Sequence, residues 1–251
     1  MFDPDQPTLK ARLASGPCMA VSWLALGSPA LVEAAARAAP DAIVIDMQHG
    51  LWERRDLEAA IGIVPHRIPV IVRVAENSAL AISAALDAGA EGVMVPMIEN
   101  ADEGRQAIRS AKYPPHGTRS AGGVRPLQDF AAYLRGAGEI AVMLMIETAQ
   151  GLANAEDIAR LEGLDMVFIG TGDLALSLRI LPGDTARHAA ACEQILHACR
   201  AASIACGSFT TSIEAAQQRR QQGYGMVVAV NDIDLMTRGF AEASARLREH
   251  S

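Results

Sequence analysis

Short runs of almost wholly apolar residues alternate along this chain with longer stretches that mix Ala with polar residues. The apolar runs fall near 18–25, 42–46, 68–74, 92–96, 140–146, 164–169, 203–208 and 225–230. The Ala-rich amphipathic stretches cover 29–39, 53–64, 77–88, 100–112, 149–162, 184–202, 212–222 and 232–248. A strand that is apolar at every position is covered on both faces, as in a parallel sheet. Strict alternation of eight such strands with eight helices predicts a closed parallel barrel, the (β/α)8 or TIM fold. An open doubly wound sheet usually has fewer strands. No linker or shift in composition divides the chain, so residues 1–251 read as a single domain.

Two segments depart from the alternation. Residues 113–139 form a Gly/Pro/Arg-rich connection (YPPHGTRSAGGVRP at its start) between the fourth helix and the fifth strand. Connections of that length are usually functional or disordered. By position it leaves the bottom of the barrel, and 129–135 has the makings of a short helix covering that end. Residues 177–184 are a second irregular piece.

Composition narrows the class. A chain of 251 residues, half of them hydrophobic, can bury a core of barrel size. Only 4% are aromatic, so that core must be built from Ala, Val, Ile, Leu and Met. The net charge of −7 and the lack of a basic cluster argue against a nucleic-acid or anionic-membrane partner. No apolar stretch reaches the roughly 18–20 residues of a membrane span. The opening MFDPDQPTLK holds acidic residues and no apolar core of a signal peptide, so a cytoplasmic protein is expected. Cys18, Cys192, Cys199 and Cys206 form no CxxC pair and read as small apolar residues in a reducing compartment.

The first polar residues after each apolar run mark where the chain leaves the core. The second run ends in Asp46, followed by Met47-Gln48-His49-Gly50, and the third ends at Arg73 and Val74. The fifth leads into Glu147, and the sixth leads through Gly170-Thr171-Gly172 to Asp173. In such barrels the reacting groups come from the carboxyl ends of several strands. Glu147 and Asp173 lie 26 positions apart, one strand–helix–strand unit, and should stand side by side at one end. Two adjacent hard oxygen donors suggest a divalent cation. Imidazoles as a class are suited to acid/base work, which makes His49 a candidate, and Arg73 is a fixed cation able to stabilise an oxyanion. Taken singly, each has an ordinary reading. Glu147 and Asp173 would cap helices, His49 would sit in a turn, Arg73 would form an ion pair and Asp87 would end a helix. Only Lys10 and Lys112 are present, neither at a strand end facing the rim, so a Schiff-base lyase is disfavoured. Cys18 opens the first strand at the wrong end to be a nucleophile.

The segments IDMQHG (45–50), PVIVRV (69–74), LDAGAEGVMVPMIENADE (86–103), YPPHGTRS (113–120), MIET (145–148) and VFIGTGDLALSL (167–178) occur in this order. In them the chain resembles the HpcH/HpaI family of metal-dependent, class II pyruvate aldolases. That resemblance implies a barrel assembled into a homo-oligomer, commonly a hexamer, with the last helix often exchanged between subunits. Carried over, it makes Glu147 and Asp173 the metal ligands and His49 the acid/base residue. It makes Asp87 the group that raises the basicity of that histidine, with Asp46 supporting the same network. Arg73 would stabilise the enolate, and the amides of Gly172 and Asp173 would hold the pyruvate carboxylate. The chain departs from the family at Gln48, often Glu; at Met145, often a Gln that touches substrate; and at Gly170-Thr171-Gly172-Asp173, commonly GPAD.

The chemistry so implied is reversible retro-aldol cleavage of a 4-hydroxy-2-oxo acid to pyruvate and an aldehyde. Two carboxylates without clustered histidines suit Mg2+ or Mn2+, with Co2+ as a further candidate, better than tetrahedral Zn2+. The rival enzymes, an oxaloacetate decarboxylase or an acyl-thioester lyase, share the enolate. Two other readings are a metal-free binding module and a phosphate-gripping barrel resting on the SFTTS run at 208–212. Trp23, Leu24, Phe209 and Val230 are candidates to line the aldehyde pocket, and each would serve equally as core.

Overall fold

The computed structural model describes residues 6–180 and 184–248. Eight parallel strands close into a barrel in the order β1 to β8. They are β1 (Met19–Leu24), β2 (Ala42–Asp46), β3 (Val70–Arg73), β4 (Gly92–Val95), β5 (Ala141–Ile146), β6 (Met166–Ile169), β7 (Ala205–Ser208) and β8 (Met226–Asn231). Each falls on an expected apolar run to within a residue or two at the ends. β2 to β6 are buried at every position, the signature of strands covered on both faces. The one irregularity in the ladder is a register shift between β1 and β8 at Val21/Ser22.

Two apolar layers fill the space that this closure creates. Inside the barrel, Val21, Trp23, Val44, Ile71, Met94, Met143, Met145, Met166, Phe168, Met226 and Val228 pack together. Flexible Met side chains suit that tapering interior. The outer layer joins the other strand faces to the helices, with Ile43, Val72, Val93, Leu144 and Val167 on one side and Leu57, Ile82, Ile158 and Ile195 on the other. Cys192, Cys199 and Cys206 are buried in it as free thiols, and Cys18 is half-buried at its edge.

The helices between strands are α2 (Pro29–Arg37), α3 (Arg54–Ile63), α4 (Ala79–Asp87), α5 (Ala101–Ala111), α11 (Thr185–Ala201) and α12 (Ile213–Gln221), followed by the terminal α13 (Asp232–Arg248). The expected helix over 149–162 is instead two short pieces, α8 (Ala149–Ala153) and α9 (Ala155–Ala159), which meet at Asn154. A further short helix, α10 (Thr171–Ser177), runs up to the irregular piece expected at 177–184, of which 181–183 lie outside the described residues. The expected absence of a leader rests partly on residues 1–5, which also lie outside them. Among the described residues no helix is long and apolar enough to cross a membrane.

The floor of the barrel is built from α1 (Leu9–Ser15), which the apolar pattern did not announce, and from the long connection. Capped by the Thr8 hydroxyl, α1 inserts Leu9 and Leu13 into the interior layer. The long connection folds into α6 (Val124–Gln128), α7 (Phe130–Gly136) and a 3-10 turn. α7 matches the helix expected over 129–135. Arg125 of α6 donates to the Glu58 carbonyl and lies against Gly62 and Gly89, so this segment closes the floor over α3 and α4. α13 packs on β1 and β8, while its Leu235, Phe240 and Leu247 remain exposed.

Candidate active site

The mouth of the barrel is organised around Asp46, the last residue of β2 and only 2% exposed. Its Oδ1 accepts the backbone N–H groups of Gln48 at 3.0 Å and His49 at 3.2 Å, which folds the chain into a tight turn. Gly50 is required there, because a Cβ would overlap the Asp46 carbonyl oxygen. The same carboxylate grips Arg73 at the end of β3. Nε donates to Oδ1 at 2.8 Å and Nη2 donates to Oδ2, a two-pronged pair. β2 and β3 are in register at these two residues, which is why the groups meet. Trp23 of β1 completes the cluster, donating its indole N–H to Asp46 Oδ2 at 3.2 Å and lying 5.0 Å beneath the guanidinium. Burial would raise the Asp46 carboxyl. The hydrogen bond and charge of Arg73, with the His49 and Gln48 amides, outweigh it and hold the group below its ordinary range.

Glu147 leaves the end of β5 and is 1% exposed. Its Oε1 accepts the Met97 amide at 2.7 Å, and its Oε2 is buried without a hydrogen-bond partner among the described residues. Gly170, at the end of β6, gives that oxygen room, since a Cβ there would overlap Oε2. Burial pushes the Glu147 carboxyl above its usual range. The Met97 amide opposes this, the nearby Asp173 charge adds to it, and Arg73 and Asp46 act in opposite directions at smaller size. Asp173 lies in the first turn of α10. Asp46, Arg73, Glu147 and Asp173 therefore share one electrostatic neighbourhood at the mouth. His49 stands exposed beside it, and the Gln48 Oε1 is another buried oxygen without a partner among the described residues. Met145 belongs to the interior layer beneath, level with Phe168 in the β5–β6 register.

Asp87 is not part of this neighbourhood. α4 runs from the end of β3 back to the start of β4, so its last residue lies at the floor. There Asp87 pairs with Arg119 at 2.7 Å. Arg119 is itself buried, with its guanidinium over the rings of Tyr113 and Tyr133. Within one chain, then, Asp87 and His49 stand at opposite ends of the barrel, because the direction of α4 carries Asp87 to the floor. The lysines are also floor residues. Lys10 lies 3.4 Å from Asp165, and Lys112 donates to the Ile140 carbonyl at 2.7 Å.

Two residues that the strand-end criterion passed over prove central to the mouth. Met97, just after β4, has φ +58, a left-handed conformation unusual for a residue with a side chain. That conformation goes with the amide hydrogen bond to Glu147 and costs on the order of 1 kcal/mol or more, the kind of strain that gathers at functional sites. No local pattern announces it. Asp232, buried at the start of α13, accepts the Ala25 amide at 2.9 and 3.0 Å and the Leu26 amide at 2.9 Å. It ties the loop after β1 to the end of β8. As the first charged residue after an apolar run, it had the same signal as Glu147.

These residues fit a cation. A buried carboxylate oxygen without a donor, beside a second carboxylate that repels it, is stabilised by positive charge between them. Among the described residues no three His, Cys, Asp and Glu side chains gather as ligands. A cation here would take its hard oxygen donors from Glu147 and Asp173, which would leave open positions for a chelating ligand. The hydroxyls of the 208–212 run, by contrast, are mostly spent. Ser208 donates to the Phe209 carbonyl, Thr210 to the Val228 carbonyl, and Ser212 caps α12. A phosphate grip at that run has little left to offer.

Residues 19–237 match the family model described as HpcH/HpaI aldolase/citrate lyase. The chain is 35% identical over 259 residues to a hydroxypyruvate/pyruvate aldolase of Paraburkholderia phytofirmans, covering 96% of this chain and 97% of that protein. It is 35% identical over 250 residues to a 4-hydroxy-2-oxovalerate aldolase of Rhodococcus jostii, with 96% of each covered. Among solved structures, a family protein from Burkholderia cenocepacia superposes with a TM-score of 0.89 at 32% identity, over 96% of this chain and 98% of that one.

Proposed function

The chain belongs to the HpcH/HpaI aldolase/citrate lyase family, and from that premise we propose that it is a divalent-metal-dependent pyruvate aldolase. It would cleave a 4-hydroxy-2-oxo acid reversibly to pyruvate and an aldehyde. The observation that carries this reading is the Glu147 Oε2, buried without a donor and facing the charge of Asp173 on the rim that also holds Arg73.

Glu147 and Asp173 would hold the cation, Mg2+ or Mn2+ by the hardness of the donor set. When bound, it supplies a Lewis acid that draws charge onto the 2-oxo group of the substrate. The chain's own residues do the rest. His49 takes the proton of the 4-hydroxyl, so that the C3–C4 bond breaks as the aldehyde carbonyl forms and its electron pair passes to the pyruvate half as an enolate. Arg73, pinned by Asp46 and Trp23, presents a cation to the enolate oxygen without having to reorganise. A preorganised donor of this kind is worth about 3–4 kcal/mol. The N–H groups of Gly172 and Asp173 would hold the pyruvate carboxylate, with Met145 lining the pocket beneath. Protonation at C3 completes the cycle.

Asp87 would tune His49 only if a neighbouring subunit carried its own floor to this mouth. The exposed Phe240 and Leu247 of α13 support assembly into a homo-oligomer, a hexamer with exchanged last helices in our reading.

The reading is tested by following pyruvate release from a 4-hydroxy-2-oxo acid and from oxaloacetate, with Mn2+ and after removal of metal by EDTA. Faster turnover of the hydroxy acid, lost in EDTA and restored by Mn2+, is expected. Full activity in EDTA would refute the metal role, and a preference for oxaloacetate would turn the assignment to a decarboxylase.

A further inference from the structure

α10 is a weak platform for a residue that must be well placed. It has seven residues, of which only Leu174 is buried, and isolated helices so short are marginal in water. Its second residue is Gly172, where a Cβ would meet nothing within 4 Å, so no packing restrains the backbone immediately before Asp173. The position of Asp173 therefore depends on what holds α10 from the side.

Besides the packing of Leu174 into the outer core, three hydrogen-bond contacts do so. The Ser177 hydroxyl accepts the Ala149 amide at 2.9 Å, at the far end of the helix. The Thr171 hydroxyl reaches the Phe209 carbonyl at a long 3.4 Å. The short contact at the turn of Asp173 itself is from His188, whose Nε2 lies 3.0 Å from the Thr171 carbonyl oxygen. A carbonyl only accepts, so this nitrogen carries the hydrogen. His188 stands on α11, a helix of 17 residues anchored in the outer core by Cys192, Ile195, Leu196 and Cys199. Cys192, one turn on, has its sulfur 3.9 Å from the same nitrogen and packs the ring in place.

We propose that His188 is a positioning residue for the acidic pair at the mouth: it transmits the rigidity of α11 to the Thr171 carbonyl and so fixes where Asp173 stands relative to Glu147. The inference rests on the reading of Glu147 and Asp173 as the cation site. Removal of groups that orient metal ligands typically lowers metal affinity 10–100-fold.

The test is Mn2+ binding, measured by calorimetry and by electron paramagnetic resonance of free Mn2+, on the wild-type chain and on His188→Gln, His188→Phe and His188→Ala. Gln can return an N–H to the Thr171 carbonyl; Phe fills the same space without one. His188→Phe and His188→Ala should bind Mn2+ at least tenfold more weakly, and His188→Gln within about threefold of wild type. The Mn2+ concentration for half-maximal activity should rise in parallel, with kcat at saturating Mn2+ little changed. Phe binding as well as wild type, or Gln as poorly as Phe, would overturn the proposal. So would the failure of all three variants to fold by circular dichroism, which would mark His188 as a residue of the core. If only His188→Ala unfolds, the Gln and Phe pair decides. A wild-type chain that binds no Mn2+ would instead overturn the cation site itself.

Discussion

At the floor of the barrel, Asp41 accepts the Ala20 amide at 2.8 Å and lies 3.7 Å from Arg12. Asp165 likewise accepts the Val142 amide at 2.8 Å and pairs with Lys10. Lys112 is spent on a backbone carbonyl, and Asp87 on Arg119. Arg119 leaves Nε and Nη1 without acceptors, but its guanidinium lies over two aromatic rings. The mouth has comparable groups in another condition. Asp46 and Arg73 complete each other, whereas Glu147 Oε2 and Gln48 Oε1 are buried without a hydrogen-bond partner among the described residues. An unsatisfied buried polar group costs about 1–3 kcal/mol. The floor uses its carboxylates to hold strand starts in place. The mouth keeps two oxygens in deficit, which makes sense where a ligand supplies what is missing. Neither a count of charges nor a count of unpartnered atoms would separate the two ends; what does, among the described residues, is that a carboxylate oxygen is left unpartnered at the mouth and none at the floor.

The strongest challenge to this contrast is Glu147→Gln. Activity should fall by a thousandfold or more as a metal ligand is lost, while the metal-free chain melts at the same or a higher temperature. The amide can still accept from Met97, and it relieves a carboxylate that burial disfavours. Steady-state kinetics and calorimetry on the apoprotein check both halves. A lower melting temperature would place Glu147 among the structural groups instead.

Asp87→Asn asks whether the two ends meet in the assembled protein. If a neighbour's floor reaches this mouth, as proposed, kcat/KM falls about 10–100-fold with Mn2+ affinity unchanged. Unaltered kinetics with only a lower melting temperature would confine Asp87 to its pair with Arg119.

The smallest effect is expected at Glu91, just before β4 on the floor, whose carboxyl burial pushes up to about 7 against the opposing influence of Arg12. With the folded value above the unfolded one, its contribution to stability is fully present below about pH 4.5. It is lost as pH rises through about 7. Glu91→Gln should therefore be more stable than wild type at pH 8, by on the order of 1–3 kcal/mol, and no more stable at pH 4–5. Its kcat/KM should not change. Urea unfolding at the two pH values measures the difference, and parallel pH dependences would refute the assignment.

The barrel was legible because a strand covered on both faces must be apolar at every position, whatever it packs against. Asp46, Arg73, Glu147 and Asp173 were legible for the complementary reason, since the first charged residue at the end of such a strand has to stand at its mouth. α1 was missed although Thr8 and the Leu9–Leu13 spacing mark it, because seven residues make a faint helical pattern. The break of the expected 149–162 helix at Asn154 left no comparable mark.

Local pattern thus specified which elements form, in what order, and which residues reach the rim, since burial of strands and helical faces acts on neighbours in the chain. Which groups complete one another was settled only when the barrel closed. Met97 turns its amide to Glu147, Asp232 reaches the loop after β1, Asp87 goes to Arg119 and His188 to Thr171. Hydrogen bonds and ion pairs act over a few ångströms, and distances of that order between residues far apart in the chain exist only in the folded state.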